Sequence, residues 1–359
     1  MWQLALSTRA GSLLGDLADA HDRTINFGLS TMNSLSFSVR ADHPLADNLI
    51  DGDALVKAYW KDGSATSVLM MVAEIVTVEE SASEGSATVA VTCAEAGYFR
   101  LQHRLIGRSA AGYLNGTAAT PVNRGTIAAD VISVVNAVAP TGVTAGTTTS
   151  AGTTAVGPWN YKTAMEALTD LAFAGDGFDF VFDPLEPSGG SVASFRCAAT
   201  IGSVKANAIF EFGTGQNNVI AYKRQITRDT LLNLGWSLPS GFPDNTAGSA
   251  QSYTDAASVT ARGTWEGVVS SDLTTDAARL SLVTQHVTLR KTARQRIEFT
   301  PGASAPQFIT DYSIGDTVTA RAEHPANSIR FNAAFRIYGA SIAIDDGGLA
   351  RTTLTLIAD

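Results

Sequence analysis

Apolar and polar side chains alternate strictly through much of the first hundred residues. In the segment SLSFSVR, Leu35, Phe37 and Val39 fall on one side of an extended chain, and ATVAVTC at 87–93 repeats the pattern. A period of two is typical of strands with one buried and one exposed face. Residues 1–104 are therefore predicted to form a first, all-β module, although GSLLGDLADAH at 11–21 is expected to contribute a helical turn.

Helical spacing replaces alternation after residue 104. Apolar residues from Ile127 to Val138 recur at helical intervals, with Thr126 as the expected N-cap and Pro140 as the stop. A second helix is predicted over AMEALTDLAF, capped by Asn160 or Thr163 and ended by Gly175.

Between the two predicted helices, TGVTAGTTTSAGTTAVG at 141–157 is expected to be a surface loop without a core. The segments FDFVFDP and SFRCAAT after the second helix are expected to be strands. Residues 105–208 are accordingly predicted to be an inserted α/β domain.

Strand patterns return from Ile209 onward. Residues 209–262 are predicted to form a β-hairpin, which turns between Gly213 and Asn218, followed by an irregular connecting segment. Residues 263–359 are predicted to hold one helix and further strands. Asp272 or Thr274 is expected to cap this helix, and its shared apolar face is expected to consist of Ala277, Leu280, Val283 and Val287.

Composition limits the partners of the chain. Hydrophobic residues make up 45% and charged residues 16%, and the net charge is −9 with a pI near 5.1. An acidic chain of this kind does not hold nucleic acid by neutralising phosphates. The longest apolar stretch is too short to cross a bilayer, and the N-terminus has no pattern of a secretion signal. Cys93 and Cys197 are expected to be buried thiols.

A short pattern occurs near both ends of the chain. Gly52-Asp53 precedes the strand pattern ALVKA, and Gly315-Asp316 precedes TVTA. Downstream, Val76–Glu80 matches Ile342–Asp346, and both are followed by a glycine-containing turn and an alternating strand. This repeat predicts two β modules with one plan.

The doublet Asp345-Asp346 could be a metal loop, a catalytic pair or a turn. An EF-hand loop needs oxygen ligands at alternate positions and a distal glutamate, which this segment lacks. Adjacent aspartates also do not converge on a cleft. A tight hairpin turn is the favoured interpretation. The positions predicted to form structural turns are Gly52, Asp53, Gly213, Asn217, Asn218, Gly315, Asp316, Asp345, Asp346, Gly347 and Gly348.

No catalytic or nucleotide-binding motif is present in the sequence. The five histidines lack the spacing of metal ligands. Asp176, Asp179 and Asp183 alternate with phenylalanines and could line a glycan cleft, but Phe inward and Asp outward on a strand explains them more simply. We expect no catalytic, cofactor-binding or metal-binding residues. Three tryptophans are candidate interface aromatics, with sugar platforms as the alternative: Trp159, Trp236 and Trp265.

Four segments, taken in order, sample the whole chain. The first two are INFGLSTMNSLSFSVRADHPLADNLIDGDALVKAYWKDG and FEFGTGQNNVIAYKRQITRDTLLNLGWSL. DYSIGDTVTARA and FRIYGASIAIDDGGLARTTLTL complete the series. In this order the segments resemble the minor tail proteins that form the baseplate hub at the tail tip of siphophages, in particular those of actinobacterial hosts. The long segments at 141–157 and 239–262 depart from the family pattern.

The resemblance implies a mainly β chain with two tube-type β-barrel modules, three copies of which form a pseudo-sixfold ring. It implies a structural virion protein rather than an enzyme, located at the tail tip after assembly in the host cytoplasm. The implied partners are two further copies, the distal tail protein or tail tube, other minor tail proteins and the tape measure protein. DNA would pass through the lumen without specific binding, consistent with the acidic charge. The alternatives are a glycan-binding β protein, a hexameric distal-tail adaptor and a cell-wall hydrolase.

Overall fold

The computed structural model describes residues 1–61, 67–109, 111–117, 120–150, 152–154, 156–173, 177–213, 217–238, 249–269, 276–324 and 329–357. Two compact units are present. The larger contains Met1–Tyr222 and Phe299–Thr355, and the smaller contains Lys223–Glu298 with the C-terminal residues from Leu356. In the described ranges, no helix is long and apolar enough to cross a membrane.

Strands dominate the chain. In the first half they are β1 (Trp2–Ser7), β2 (Leu13–Asp16), β3 (His21–Gly28), β4 (Ser34–Arg40), β5 (Leu55–Lys61), β6 (Ser67–Ser83), β7 (Ser86–Glu95), β8 (Leu105–Ile106), β9 (Tyr113–Asn115), β10 (Val122–Asn123), β11 (Val143–Thr148), β12 (Thr153–Thr154), β13 (Val156–Trp159) and β14 (Lys162–Thr163). In the second half they are β15 (Asp179–Ser188), β16 (Ser191–Ala198), β17 (Val204–Phe212), β18 (Val219–Thr227), β19 (Leu234–Ser237), β20 (Gln251–Thr254), β21 (Glu266–Val269), β22 (Arg294–Pro301), β23 (Thr317–His324), β24 (Ile329–Ile344) and β25 (Ala350–Ile357). The helices are α1 (Ala46–Ile50), α2 (Ala96–Gln102), α3 (Arg124–Val138), α4 (Ala164–Phe173), α5 (Ala256–Arg262) and α6 (Asp276–Arg290).

A 13-stranded sheet organises the fold, in the order β18-β22-β25-β24-β3-β4-β7-β6-β5-β1-β2, with β23 on β24 and β17 on β23. Its strands follow the alternation of the sequence, because Leu35, Phe37 and Val39 are all buried. The prediction of a mainly β fold is confirmed. In the described part of the chain, this sheet has free ends and is not closed into a barrel.

The two sequence repeats occupy similar places in the sheet. Each Gly-Asp doublet precedes a short strand, β5 or β23, which pairs antiparallel with a long strand, β6 or β24. The long strand neighbours a third strand in both cases, β7 or β25. The long strands have 17 and 16 residues. The repeat therefore corresponds to two meanders: the first meander is β5–β6–β7 and the second meander is β23–β24–β25.

Between β7 and β17, α3 and α4 pack around a common apolar core with the three-stranded sheet β11-β16-β15. The α3 N-cap is Asn123, whose side chain accepts from the backbone N–H of Gly125 at 2.9 Å, so the expectation of Thr126 was wrong. Thr163 precedes α4 as predicted, and it exchanges hydrogen bonds with Glu166 in a capping box. Gly175 lies outside the described residues.

Two sequence expectations fail in the larger unit. Residues 143–148 form β11, which pairs in parallel with β16 and buries Val143, so 141–157 is not a plain loop. The hydrogen-bond partners of residues 143–148 come from a neighbouring strand, which the composition of the segment does not predict. The region 11–21 forms β2 and the start of β3 instead of a helical turn, because β2 pairs with β1.

The smaller unit packs α6 beside the three-stranded sheet β20-β19-β21. Val283 and Val287 are buried as predicted, whereas Leu280 is exposed. Arg279, the residue before Leu280, is buried instead, and it forms an ion pair with Asp276. The proposed caps Asp272 and Thr274 lie outside the described residues.

Candidate assembly surfaces

The two Gly-Asp turns differ in their surroundings. Gly52 and Gly315 both have positive φ, at 71° and 90°. Asp53 is exposed. Asp316 is only 3% exposed, and its carboxylate accepts hydrogen bonds from the backbone N–H groups of Ser203 at 2.7 Å and Ser313 at 2.8 Å. The carboxylate of the second turn therefore binds a segment 113 residues earlier in the chain, whereas the Asp53 side chain of the first turn is exposed.

Residues 345–349 close the hairpin between β24 and β25. The backbone N–H of Gly348 donates to the Asp345 carbonyl at 2.9 Å, and the Asp345 carboxylate accepts from the Leu349 N–H at 2.8 Å. Gly348 has a φ of 81°, while Asp346 and Gly347 are exposed. The carboxylate of Asp345 is thus engaged by the turn backbone.

The turn predicted between Gly213 and Asn218 is described only at its two ends, because residues 214–216 lie outside the described part. The hairpin prediction is not met in the described residues, because β17 pairs with β23 and β18 pairs with β22 instead of with each other. The side chain of Asn217 accepts from the Gly213 N–H at 2.9 Å. Asn218 is buried, accepts from the Glu211 N–H and donates to the Ile209 carbonyl. Asn218 therefore ties β18 to the backbone of β17.

The three tryptophans differ in burial and in contacts. Trp159 stacks on Tyr113 with ring centroids 5.7 Å apart, beside the core of the larger unit. Trp236 is half-buried and donates its indole N–H to Glu266. Trp265 is exposed and donates its indole N–H to the Arg262 carbonyl at 3.1 Å. Trp265 is accordingly the member of the set most open to a partner.

The aspartates of β15 are occupied by ion pairs. Asp183 forms two hydrogen bonds with Arg196, at 2.7 and 3.0 Å. Asp179 contacts Arg336, which is also held by the carbonyls of Gly315 and Ile201. Asp176 lies outside the described residues. Among the residues that the structure describes, no cluster of His, Cys, Asp and Glu could hold a metal ion. Asp179 and Asp183 are therefore engaged by arginine side chains, which does not favour the glycan-cleft interpretation.

Glu95 is a fully buried carboxyl at the end of β7. Burial raises its pKa to about 8, although the hydrogen bond from the Asn33 amide at 2.7 Å opposes the shift. Its second oxygen has no hydrogen-bond partner among the residues that the structure describes. The group is therefore mostly protonated near neutral pH. Cys93 and Cys197 are free, buried thiols, and burial raises the pKa of both.

Two exposed features are suited to contact with other chains. Within the described ranges, the edge strand β2 pairs with β1 alone, and it exposes Leu13 and Leu14, with Leu13 at 61%. The hairpin of β6 and β7 is exposed on every residue from Glu79 to Ala87. It carries Glu80 and Glu84 in addition to Glu79. An apolar edge and an acidic arm are thus presented by the same unit.

Sequence reasoning missed the groups that hold the larger unit together. Arg336 and Asp179 are 157 residues apart in sequence, and Arg321 pairs with Glu211 across 110 residues. No local pattern connects such partners. The one available signal was the position of Arg336 inside an apolar strand, between Phe335 and Ile337, which are both buried.

No protein family and no curated sequence matches this chain. Solved structures do match its fold from end to end. A tail protein from Neisseria meningitidis MC58 superimposes with a TM-score of 0.61 at 12% identity, covering 100% of this chain and 97% of that one. A prophage MuSo2 43 kDa tail protein from Shewanella oneidensis gives 0.63 at 12% identity, covering 99% and 98%. Prophage tail protein gp18 from Listeria monocytogenes EGD-e gives 0.59 at 10% identity, covering 99% and 94%. The chain therefore has the fold of phage tail proteins.

Proposed function

We propose that this chain is a structural protein of a phage tail, and that it acts as the trimeric hub at the tail tip. The observation that carries the proposal is the end-to-end match with three tail proteins, each covered over at least 94% of its own length. A match of whole chains, rather than of one domain, supports a shared place in an assembly. Since identity is only 10–12%, the match itself concerns the fold.

The two meanders support a hub in particular. A hub between a sixfold tube and a tip with fewer copies needs two tube-like modules in each of three chains. The first meander and the second meander are related by sequence and by strand order. We propose that they are these modules, with limits near 1–104 and 263–359, that 105–208 is an inserted domain and that 209–262 connects them.

Ring formation requires contacts between copies, and the edge strand β2 is our proposed contact. It has an open edge in the described part of the chain and exposes Leu13 and Leu14. Addition of a strand from a neighbouring copy would satisfy that edge and cover the leucines. The distal tail protein, other tip proteins and the tape measure protein are the proposed neighbours along the tail axis.

The acidic charge suits a DNA passage. At a net charge of −9, a lumen formed by three copies would repel phosphates and let DNA slide without sticking. Two other functions stay as alternatives. A glycan-binding role is favoured by the exposure of Trp265, and a hexameric distal-tail adaptor would share the tube-like modules.

Electron microscopy with class averaging tests the hub, on the purified chain and on isolated tail tips. We expect threefold particles of about 112 kDa, three times the 37.5 kDa chain, with a pseudo-sixfold rim and a central channel. Leu13→Glu should weaken assembly, whereas Leu114→Glu, at a residue of nearly equal exposure, should not. A sixfold ring, or absence of the protein from tail tips, would contradict the hub.

A further inference from the structure

A cleft of about 430 Å³ in the larger unit is lined by three arginines: Arg9, Arg100 and Arg104. No carboxylate is among its lining residues in the described part of the chain. The rest of the lining is polar or glycine-rich, and includes Asn136, Thr141 and Ser191. A cationic cleft is unexpected on a chain with a net charge of −9.

One carboxylate neutralises only part of this charge. The Glu74 side chain is buried beside the cleft and contacts Arg100 at 2.6 Å and Arg9 at 2.9 Å. Two of the three guanidinium groups, those of Arg9 and Arg100, thus share one carboxylate. Because guanidinium groups stay protonated in proteins, the cleft keeps a net positive charge at all physiological pH values.

Arg100 has a structural role in the cleft wall. It donates to the carbonyls of Thr141 at 2.8 Å and Gly190 at 3.2 Å, and so joins two loops. The Thr141 loop is fixed further by Asn136, which accepts from its N–H and hydroxyl and donates to the Val143 carbonyl. The walls are therefore formed before any ligand binds.

Arg104 does not join the loops of the cleft wall in this way. Its guanidinium makes no ion pair or hydrogen bond within the described residues, and its Nε atom is buried without an acceptor. Arg104 is half-buried. Burying a guanidinium group without a hydrogen-bond acceptor costs free energy, and a bound anion would supply the acceptor. Arg9 is the second available group, since its side chain is 53% exposed.

We propose that this cleft binds a phosphate-class oxyanion, with Arg104 and Arg9 as the principal ligands and the hydroxyl of Ser191 as a further donor. The fork of N–H groups on each guanidinium matches the oxygens of a tetrahedral oxyanion. The free ion and a phosphoryl group of a larger molecule share this chemistry. The proposal does not depend on a role in a phage tail.

Isothermal titration calorimetry at constant ionic strength tests the site, with inorganic phosphate as the first probe. We expect saturable binding of one phosphate per chain. Arg104→Gln should weaken it about tenfold or more, because a charge-assisted hydrogen bond is lost. The matched control is Arg108→Gln, an exposed arginine outside the cleft, which should stay within about twofold of the parent.

Far-UV circular dichroism establishes that each variant is folded. If Arg104→Gln does not fold, Arg9→Gln replaces it, and this variant should also weaken phosphate binding because the exposed arginine is lost. Dimethyl phosphate and acetate distinguish the ligands: tighter binding of dimethyl phosphate indicates a phosphodiester, and weaker binding indicates the free ion or a monoester. Tighter binding of acetate than of either phosphate, absence of saturable heat, or equal binding by the parent and the cleft variants would each overturn the site.

Discussion

The turns at 52–53 and 315–316 share a Gly-Asp doublet and a positive glycine φ, yet they differ in what surrounds them. Nothing lies within 4 Å of a methyl group placed on Gly52. A methyl group on Gly315 would lie 2.5 Å from the Ile201 carbonyl oxygen. One sequence pattern thus makes a simple turn in the first meander and a packed junction in the second. Local sequence therefore determines the conformation of the turn, whereas tertiary packing determines how much the turn contributes to the free energy of unfolding.

The largest expected effect concerns Arg336 in the second meander. Arg336→Met should destabilise the larger unit by about 3–5 kcal/mol, because it removes the ion-pair partner of Asp179 and the donor to two carbonyl groups. Urea unfolding followed by fluorescence measures the loss. The control is Arg40→Met, which removes an exposed pair with Asp42 and should cost less than about 1 kcal/mol. Equal losses of stability in the two variants would contradict the expectation that the buried ion pair contributes more than the exposed one.

The aspartates of the two doublets come next. Asp316→Ala removes the acceptor of two backbone N–H groups and should cost about 3 kcal/mol. Asp53→Ala changes an exposed side chain and should stay within about 0.5 kcal/mol of the parent. The same unfolding experiment gives both values. If Asp53→Ala were as costly, the first turn would also be a junction.

The glycines should give a smaller difference. Gly52→Ala introduces only the strain of a left-handed residue, about 1 kcal/mol. Gly315→Ala adds a clash with the Ile201 carbonyl and should cost about 1–3 kcal/mol more. Thermal unfolding of the two variants side by side measures the gap, and coincident curves would show that the backbone near Ile201 can move.

The smallest expected effect compares the buried ion pair of Arg336 with the buried carboxyl of Glu95, which accepts a hydrogen bond from the Asn33 amide. The pKa of Glu95 is about 8 in the folded chain against 4.5 as the ordinary value. Between these values the folded state holds a proton that the unfolded state has released, so stability falls as pH rises. From pH 6 to pH 7 the parent should lose up to about 1.4 kcal/mol more than Glu95→Gln.

Urea unfolding at the two pH values tests this difference. The substitution Glu95→Gln keeps a side-chain oxygen as the acceptor for the Asn33 amide and introduces an amide that cannot ionise. The variant therefore differs from the parent in its titration and not in this hydrogen bond. Identical pH dependence in the parent and the variant would mean that Glu95 is already ionised in the folded chain.

The sequence by itself determined the local elements of this protein. Alternation predicted strands such as β4 and β7, and Thr163 as a cap predicted the start of α4, because side-chain period and capping depend on near neighbours. The repeated Gly-Asp doublets likewise located the two meanders. These features are encoded within a few residues, so they can be recognised without a structure.

Only the tertiary structure determined which of these elements make the long-range contacts that stabilise the fold. Residues 143–148 became a strand because β16 supplied its hydrogen bonds, and Asp316 became a junction because Ser203 came from another part of the chain. Arg9, Arg100 and Arg104 form a cleft with segments near 141 and 190. Such partners are separated by tens to hundreds of residues, and burial, not local propensity, fixes which of them meet.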